Sequence, residues 1–202
     1  MNPLPPLPLQ PEIPGAPARS RPGPKPKLSA ERWFIAALEI LAVGGIDAVR
    51  VELVAEALGV TKGMFYTRFQ SRDAFLEAMI DYWRQRTTTG LVAELGAMDA
   101  SPQGRLARLF TISQTDRAKT GASIELAMRT WALTDDRAAR ALAEIDRQRL
   151  AYFESVAIAN GVPADQAAAR AFMIYSYVIC DTLLPGDRDA MRAICQGFLS
   201  GA

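Results

Sequence analysis

The chain has 202 residues, half of them apolar and 22% charged, with a net charge of +1, two cysteines and no histidine. That length buries a substantial core in one or two domains. Without histidine there is no imidazole base, no His-ligated metal and no Ser-His-Asp triad, and no phosphate loop or nucleophile motif stands in for them. No cofactor, no metal and no enzymatic activity are therefore expected. The longest apolar run, Ala171 to Cys180, is interrupted by Ser176 and falls short of the roughly 18 residues a membrane helix needs, so no membrane partner is expected either. Two cysteines 15 positions apart suit free thiols in a reducing cytoplasm better than a disulfide framework.

Ten of the 13 prolines lie in the first 26 residues. They remove amide donors and fix φ, so residues 1–28 read as an extended, disordered arm. From Arg19 to Trp33 the sequence holds five basic residues (Arg19, Arg21, Lys25, Lys27, Arg32) against Glu31, a net of +4. Arg21, Lys25 and Lys27 are candidates for an A·T-rich minor groove, or for general phosphate attraction from a solvated tail. Pro5-Pro6-Leu7-Pro8 could alternatively engage an aromatic groove of a protein partner.

From Ser29 onward the apolar period is helical throughout, and the expected fold class is all-α. Ser29 can cap a first helix carrying Trp33, Phe34, Ala37, Leu38 and Leu41, which stops at Gly44-Gly45. A short helix over about 51–58 leads through Gly59-Val60 into another from about Thr61, which can cap it. Ser71 caps a fourth helix bearing Phe75, Met79, Tyr82 and Trp83. Along it, Thr87-Thr88-Thr89-Gly90 are four poor helix formers, a candidate hinge or a merely frayed stretch. Ser101-Pro102, Pro163 and Pro185 punctuate the remainder into helices at about 102–119, 122–133, 135–160, 163–183 and 187–199, nine in all.

Two short helices joined by Leu58-Gly59-Val60 make a helix-turn-helix. Val54 and Ala55 face inward, Gly59 permits the turn, and Lys62, Gly63 and Met64 are the exposed early positions of the second helix. In this geometry that helix enters the major groove. At Gly59-Val60-Thr61-Lys62-Gly63-Met64-Phe65-Tyr66, followed by Phe69 and Ser71-Arg72-Asp73-Ala74-Phe75, the chain resembles the tetracycline-repressor (TetR) family of transcription regulators. The resemblance runs from Arg32 to about Trp83. It implies nine helices: three in a DNA-binding head, one connecting, and five in a body that binds a small molecule and dimerises. The resulting division is an arm at 1–28, a head at 29–84 and a body at 85–202.

Carried over by position, the resemblance implies that Thr61, Lys62, Gly63 and Met64 lie at the DNA, that Tyr66 bonds a phosphate, and that Arg72 contacts the backbone. Tyr66 could instead brace the head as a half-buried aromatic, and Thr67 and Arg68 could touch phosphate or be solvated. Phe65 and Phe69 read as core. The family usually starts its second helix with Thr or Ser, but here the segment is Ala48-Val49-Arg50-Val51-Glu52. Arg50 and Val51 are possible substitutes, and Glu52 would repel phosphate unless it points away. Residues 28–84 hold six basic and eight acidic side chains, so the acidic ones must lie mostly off a DNA face.

In the body, Phe110, Ser113, Gln114, Trp131, Phe153 and Tyr175 are candidate lining for an effector pocket, or ordinary core. Arg129, Arg147 and Arg149 read as surface or ion-paired positions. The helix at 163–183 is apolar nearly all round, and the last helix places Met191, Ile194 and Phe198 on one stripe. With Phe172, Tyr175 and Ile179 these suggest a two-fold four-helix interface. The expected protein is a cytoplasmic homodimer that binds a palindromic operator in double-stranded DNA, responds to an unknown small-molecule effector, and acts as a repressor. An activator of the same fold, or a helical interaction module using the arm, are the alternatives.

Overall fold

The computed structural model describes residues 28–98, 101–112, 116–184 and 189–200. Among these it holds nine α-helices and no strand: α1 (Ala30–Gly44), α2 (Val51–Ala57), α3 (Lys62–Tyr66), α4 (Arg72–Met98), α5 (Pro102–Ile112), α6 (Asp116–Trp131), α7 (Asp136–Ala159), α8 (Ala164–Leu183) and α9 (Asp189–Ser200). A 3-10 turn, Ile46–Ala48, links α1 to α2. The Pro-rich arm with Arg21, Lys25 and Lys27 lies outside the described residues, as do Ser113 and Gln114.

The helix boundaries follow local chemistry. Ser71 Oγ accepts from the Ala74 amide at 3.1 Å, and Ser101 Oγ accepts from the Gly104 amide at 3.0 Å. Asp135 accepts from the amides of Arg137 and Ala138 at the start of α7, so these three act as N-caps. Ser29 and Thr61 occupy cap positions with extended backbone, but their side chains make no cap bond. One expected boundary moves. The break anticipated near 120–121 is absent, because α6 starts at Asp116 and runs straight through Gly121. An acidic first residue favours that start, and a single mid-helix glycine costs only about 1 kcal/mol. Helix α4 likewise continues through Thr87–Gly90; Thr88 is buried and its hydroxyl donates back to the Arg84 carbonyl.

The core is continuous across the anticipated head–body boundary at residue 84. Helix α1 packs on α6 and α4 packs on α7. One buried cluster therefore runs from Trp33, Leu41, Val54, Phe65 and Phe75 through Met79 and Trp83 to Met128, Trp131, Ala138 and Ile145. A second cluster, from α5, α7 and α8, joins Leu106, Phe110, Phe153, Val156, Ala171, Ile174 and Tyr175.

Candidate functional site

The head is an aromatic knot with a short helix mounted on it. Phe65 and Trp33 are nearly inaccessible, and Phe69, half-buried, completes the knot with Phe34 and Phe75. Most of their rings meet edge-on, with Phe69–Phe75 at 4.8 Å, Phe65–Phe75 at 5.1 Å and Trp33–Phe65 at 5.6 Å between centroids, while Phe34 stacks on Phe75. Each such pair adds about 0.5–1.5 kcal/mol beyond its burial. Gly59, at φ +65°, makes the turn between α2 and α3, a conformation other residues adopt only with strain. Anchored from behind by Phe65, α3 presents Lys62, Gly63, Met64 and Tyr66 outward, with Met64 46% and Tyr66 52% exposed. The Tyr66 ring rests edge-on against Phe65, 5.2 Å between centroids.

Three of the expected contact residues stand differently from expectation. Val51 is buried among the head residues, because the first turn of α2 points its side chain into the core, so it presents no surface to a partner. Arg72 is exposed, yet its guanidinium is turned inward: Nε donates to the Val49 carbonyl at 3.1 Å and Nη2 to that of Ile46 at 3.4 Å. It braces the α1–α2 connection onto α4. Thr67 donates to the Met64 carbonyl at 2.8 Å and closes the last turn of α3. Arg50 is exposed at the N-cap of α2.

Two contacts on this surface were not legible in the sequence. Arg68 Nη1 donates to the Leu28 carbonyl at 3.3 Å, which fixes the root of the arm beside the α3–α4 turn. The other is an ion pair between Lys62 and Glu52, across the helix-turn-helix, with both side chains more than half exposed. The hydrogen bond from Lys62 holds the Glu52 carboxyl below its ordinary pKa, and reciprocally raises that of the Lys62 ammonium. Other acidic residues of the head are engaged away from α3: Glu31 accepts from Tyr82 and pairs with Arg86, and Asp81 pairs with Arg84.

In the body, the expected pocket residues Phe110, Phe153 and Tyr175 do converge, in the second buried cluster. Trp131 does not join them; it lies in the head-connected core, because the end of α6 faces α1. Above this cluster α6, α7 and α8 share a charged network. Arg149, only 9% exposed, donates to both Glu125 oxygens at 3.0 and 2.8 Å and to the Tyr175 hydroxyl at 3.0 Å. Arg129 donates to Asp146 at 2.7 and 3.0 Å, to Glu125 at 2.8 Å and to Tyr175 at 3.1 Å. Tyr175 in turn donates to Asp146 at 2.6 Å. Burial pushes the Tyr175 phenol up to about 12. Burial alone would raise Asp146, but hydrogen bonds from Arg129 and Tyr175 outweigh it and hold that carboxyl below its ordinary value. Arg147 is a surface residue paired with Glu144. A separate cleft of about 280 Å³ lies between α4 and α7, lined by Glu77, Asp81, Arg84, Arg137, Arg140 and Glu144 among others.

The last two helices are joined through polar groups and show apolar ones outward. Arg192 Nε donates to both Asp181 oxygens at 3.0 Å, and Arg170 Nη1 donates to the Phe198 and Leu199 carbonyls near the end of α9. Meanwhile Phe172 is 62%, Ile194 62%, Phe198 77% and Met191 50% exposed. Of the six expected interface residues, Ile179 is half-buried against the second cluster and Tyr175 is buried within the protomer. Tyr175 leaves the outer face because its hydroxyl is claimed by the charged network. Cys180 is exposed and Cys195 partly so, both free thiols.

Residues 35–79 match the model of the bacterial regulatory proteins of the tetR family. No curated protein matches the chain in sequence. In fold, the chain is similar to a transcriptional regulator from Rhodococcus sp. Rha1, at 20% identity and a TM-score of 0.64, with 86% of this chain and 95% of that one covered. It is similar to a TetR transcription regulator from Haloarcula marismortui, at 16% identity and TM-score 0.64, with 85% and 94% covered. It is also similar to the regulator FadR from Bacillus subtilis in complex with stearoyl-CoA, at 17% identity and TM-score 0.58, with 85% and 98% covered. Over residues 35–79 the helix-turn-helix head is thus similar to the tetR family of bacterial regulatory proteins, and over most of its length the chain shares the fold of these solved regulators.

Proposed function

We propose that the protein is a transcriptional repressor that binds a palindromic operator as a homodimer and leaves it when a small molecule enters the body. The observation that carries this reading is the exposed ridge Lys62-Gly63-Met64-Tyr66 on a helix held rigidly by the aromatic knot. A short helix with a basic, a small, a thioether and a phenolic side chain outward suits the major groove. Lys62 and Met64 read base edges, Gly63 admits the close approach, and Tyr66 and Arg50 hold phosphates, with Thr61 and Thr67 beside them. Arg21, Lys25 and Lys27 of the arm add phosphate attraction from a root fixed at Leu28.

The partner subunit covers the outward stripe of Phe172, Met191, Ile194 and Phe198. Apolar side chains this exposed, on helices joined to each other by an ion pair and by arginine bonds to carbonyls, fit a face buried between copies. The effector enters near Phe110, Phe153 and Tyr175, with Ser113 and Gln114 as polar partners. The FadR regulator similar in fold is in complex with stearoyl-CoA, which supports a small-molecule effector for this chain. The protein works as a regulator and not an enzyme, in the cytoplasm where its operator lies.

The test is selection of bound sites from fragmented genomic and random DNA with the full chain, followed by transcription from a promoter carrying the selected site. The expected motif is two-fold symmetric, transcription falls when the protein is present, and Lys62→Ala or Met64→Ala relaxes base preference at single positions. Absence of binding to any duplex at low salt overturns the reading.

A further inference from the structure

Glu52 is the acidic side chain that the fold brings onto the recognition helix. It sits in the first turn of α2, and its carboxylate takes the ammonium of Lys62, the first residue of α3. A carboxylate at the DNA-facing end of a helix-turn-helix works against affinity, since it meets phosphate with like charge. Its position against Lys62 gives it a use. An ammonium has three donors and no acceptor; bound to one carboxylate it keeps two, aimed away from Glu52. A lysine freed of that partner acts as a mobile point charge and settles on any phosphate, which raises affinity for every sequence alike.

We propose that Glu52 is a specificity-determining positioning residue: by holding Lys62 it keeps that charge off the phosphates and directs the two remaining donors at O6 and N7 of a guanine. The inference rests on the DNA-binding reading above. The pair suits the role because it is exposed on both sides. An exposed pair costs little to reorient, so Lys62 can aim its two free donors at a base while it stays on Glu52. No buried group depends on Glu52, so its replacement leaves the head intact.

The experiment measures binding of the full chain to two duplexes of equal length, one selected by the wild-type protein and one scrambled, over a range of salt. The proteins are wild type, Glu52→Gln, Lys62→Met and the double variant. With Glu52→Gln, affinity for the scrambled duplex is expected to rise and the ratio of selected to scrambled affinity to fall by about tenfold. The slope of log K against log salt should steepen by about one per head, as the released Lys62 neutralises a phosphate. Selection repeated with Glu52→Gln should lose a guanine preference in each half-site. In the Lys62→Met background, Glu52→Gln should change the ratio by less than about twofold. Equal tightening on both duplexes, or the same effect with and without Lys62, overturns the proposal and leaves Glu52 as general repulsion. Normal selective binding by wild type with no change in Glu52→Gln overturns it too, while the DNA-binding reading stands. A wild-type chain that binds neither duplex overturns both.

Discussion

Replacing Tyr175 by phenylalanine removes one oxygen from the centre of the charged network and leaves the ring against Phe153, 5.5 Å between centroids. That oxygen accepts from Arg149 at 3.0 Å and Arg129 at 3.1 Å and donates to Asp146 at 2.6 Å. Hydrogen bonds to charged groups contribute about 1.5–3 kcal/mol each, but the losses do not sum here. Arg149 keeps both oxygens of Glu125 and Arg129 keeps both of Asp146, so no charge is stranded. A loss of about 1.5–3 kcal/mol in total is expected. Glu125→Gln does strand charge. It takes from the buried Arg149 its sole carboxylate among the contacts above, and breaking a buried pair from one side costs about 3–5 kcal/mol. Urea unfolding at a single fixed protein concentration measures both, since association would otherwise shift the apparent stability, and the slope with urea should stay constant. A Tyr175→Phe variant within about 0.5 kcal/mol of wild type, or a Glu125→Gln variant costing less than Tyr175→Phe, would refute the view that this network is held in place by the phenol and balanced pair by pair.

Four further outcomes are expected. Asp135 caps α7 and is held at about 2 against an ordinary 3.8, first by its hydrogen bond to Arg137. A depressed carboxyl contributes stability that is complete above its unfolded value and lost as pH falls through the folded one. Asp135→Ala should therefore cost about 1 kcal/mol at neutral pH and flatten the urea midpoint between roughly pH 4 and 2. Gly59→Ala places a side chain at φ +65° and should lower the melting midpoint through about 1–2 kcal/mol of strain. Gly63→Ala finds its nearest neighbour at 3.8 Å, Thr61 Oγ1, so it should leave the midpoint unchanged or higher while weakening DNA binding in the same preparation. Ile194→Asp combined with Phe198→Asp should sediment as a monomer at micromolar concentration with an unaltered helical spectrum, and a dimer there would remove the outward stripe from the interface.

The head was legible because its signals are local. The spacing of Gly59, Phe65, Tyr66, Phe69 and Ser71 fixes a turn, a knot and a cap within a few residues of one another, and the structure places each where the spacing does. Arg72 was not legible in this way. Its partners are backbone carbonyls of Ile46 and Val49, and a carbonyl carries no mark in a sequence. Val51 reads as an exposed helix start until the turn of α2 against α1 buries it. Helix α8 is apolar on most sides, so periodicity does not decide which side faces out, and in the sequence Tyr175 suits a pocket and an interface equally. Its partner Arg129 stands four residues after Glu125 on α6, and that spacing is the available sign of a buried ionic layer.

Helix α4 passes Thr87–Gly90 unbroken, with the Thr88 hydroxyl turned back onto the Arg84 carbonyl. Its 27 residues make a rod of about 40 Å at 1.5 Å each, with one end built into the head and its length lying along α7. A rod has leverage where a jointed segment does not. Tilting it by some 5° swings its far end by about 3.5 Å, close to the 3.4 Å rise of one DNA step. In the proposed dimer, two such rods displaced that far in opposite directions would change the separation of the two α3 helices by about two base pairs. On the proposed function, a tilt of that size would put two heads out of register with one operator.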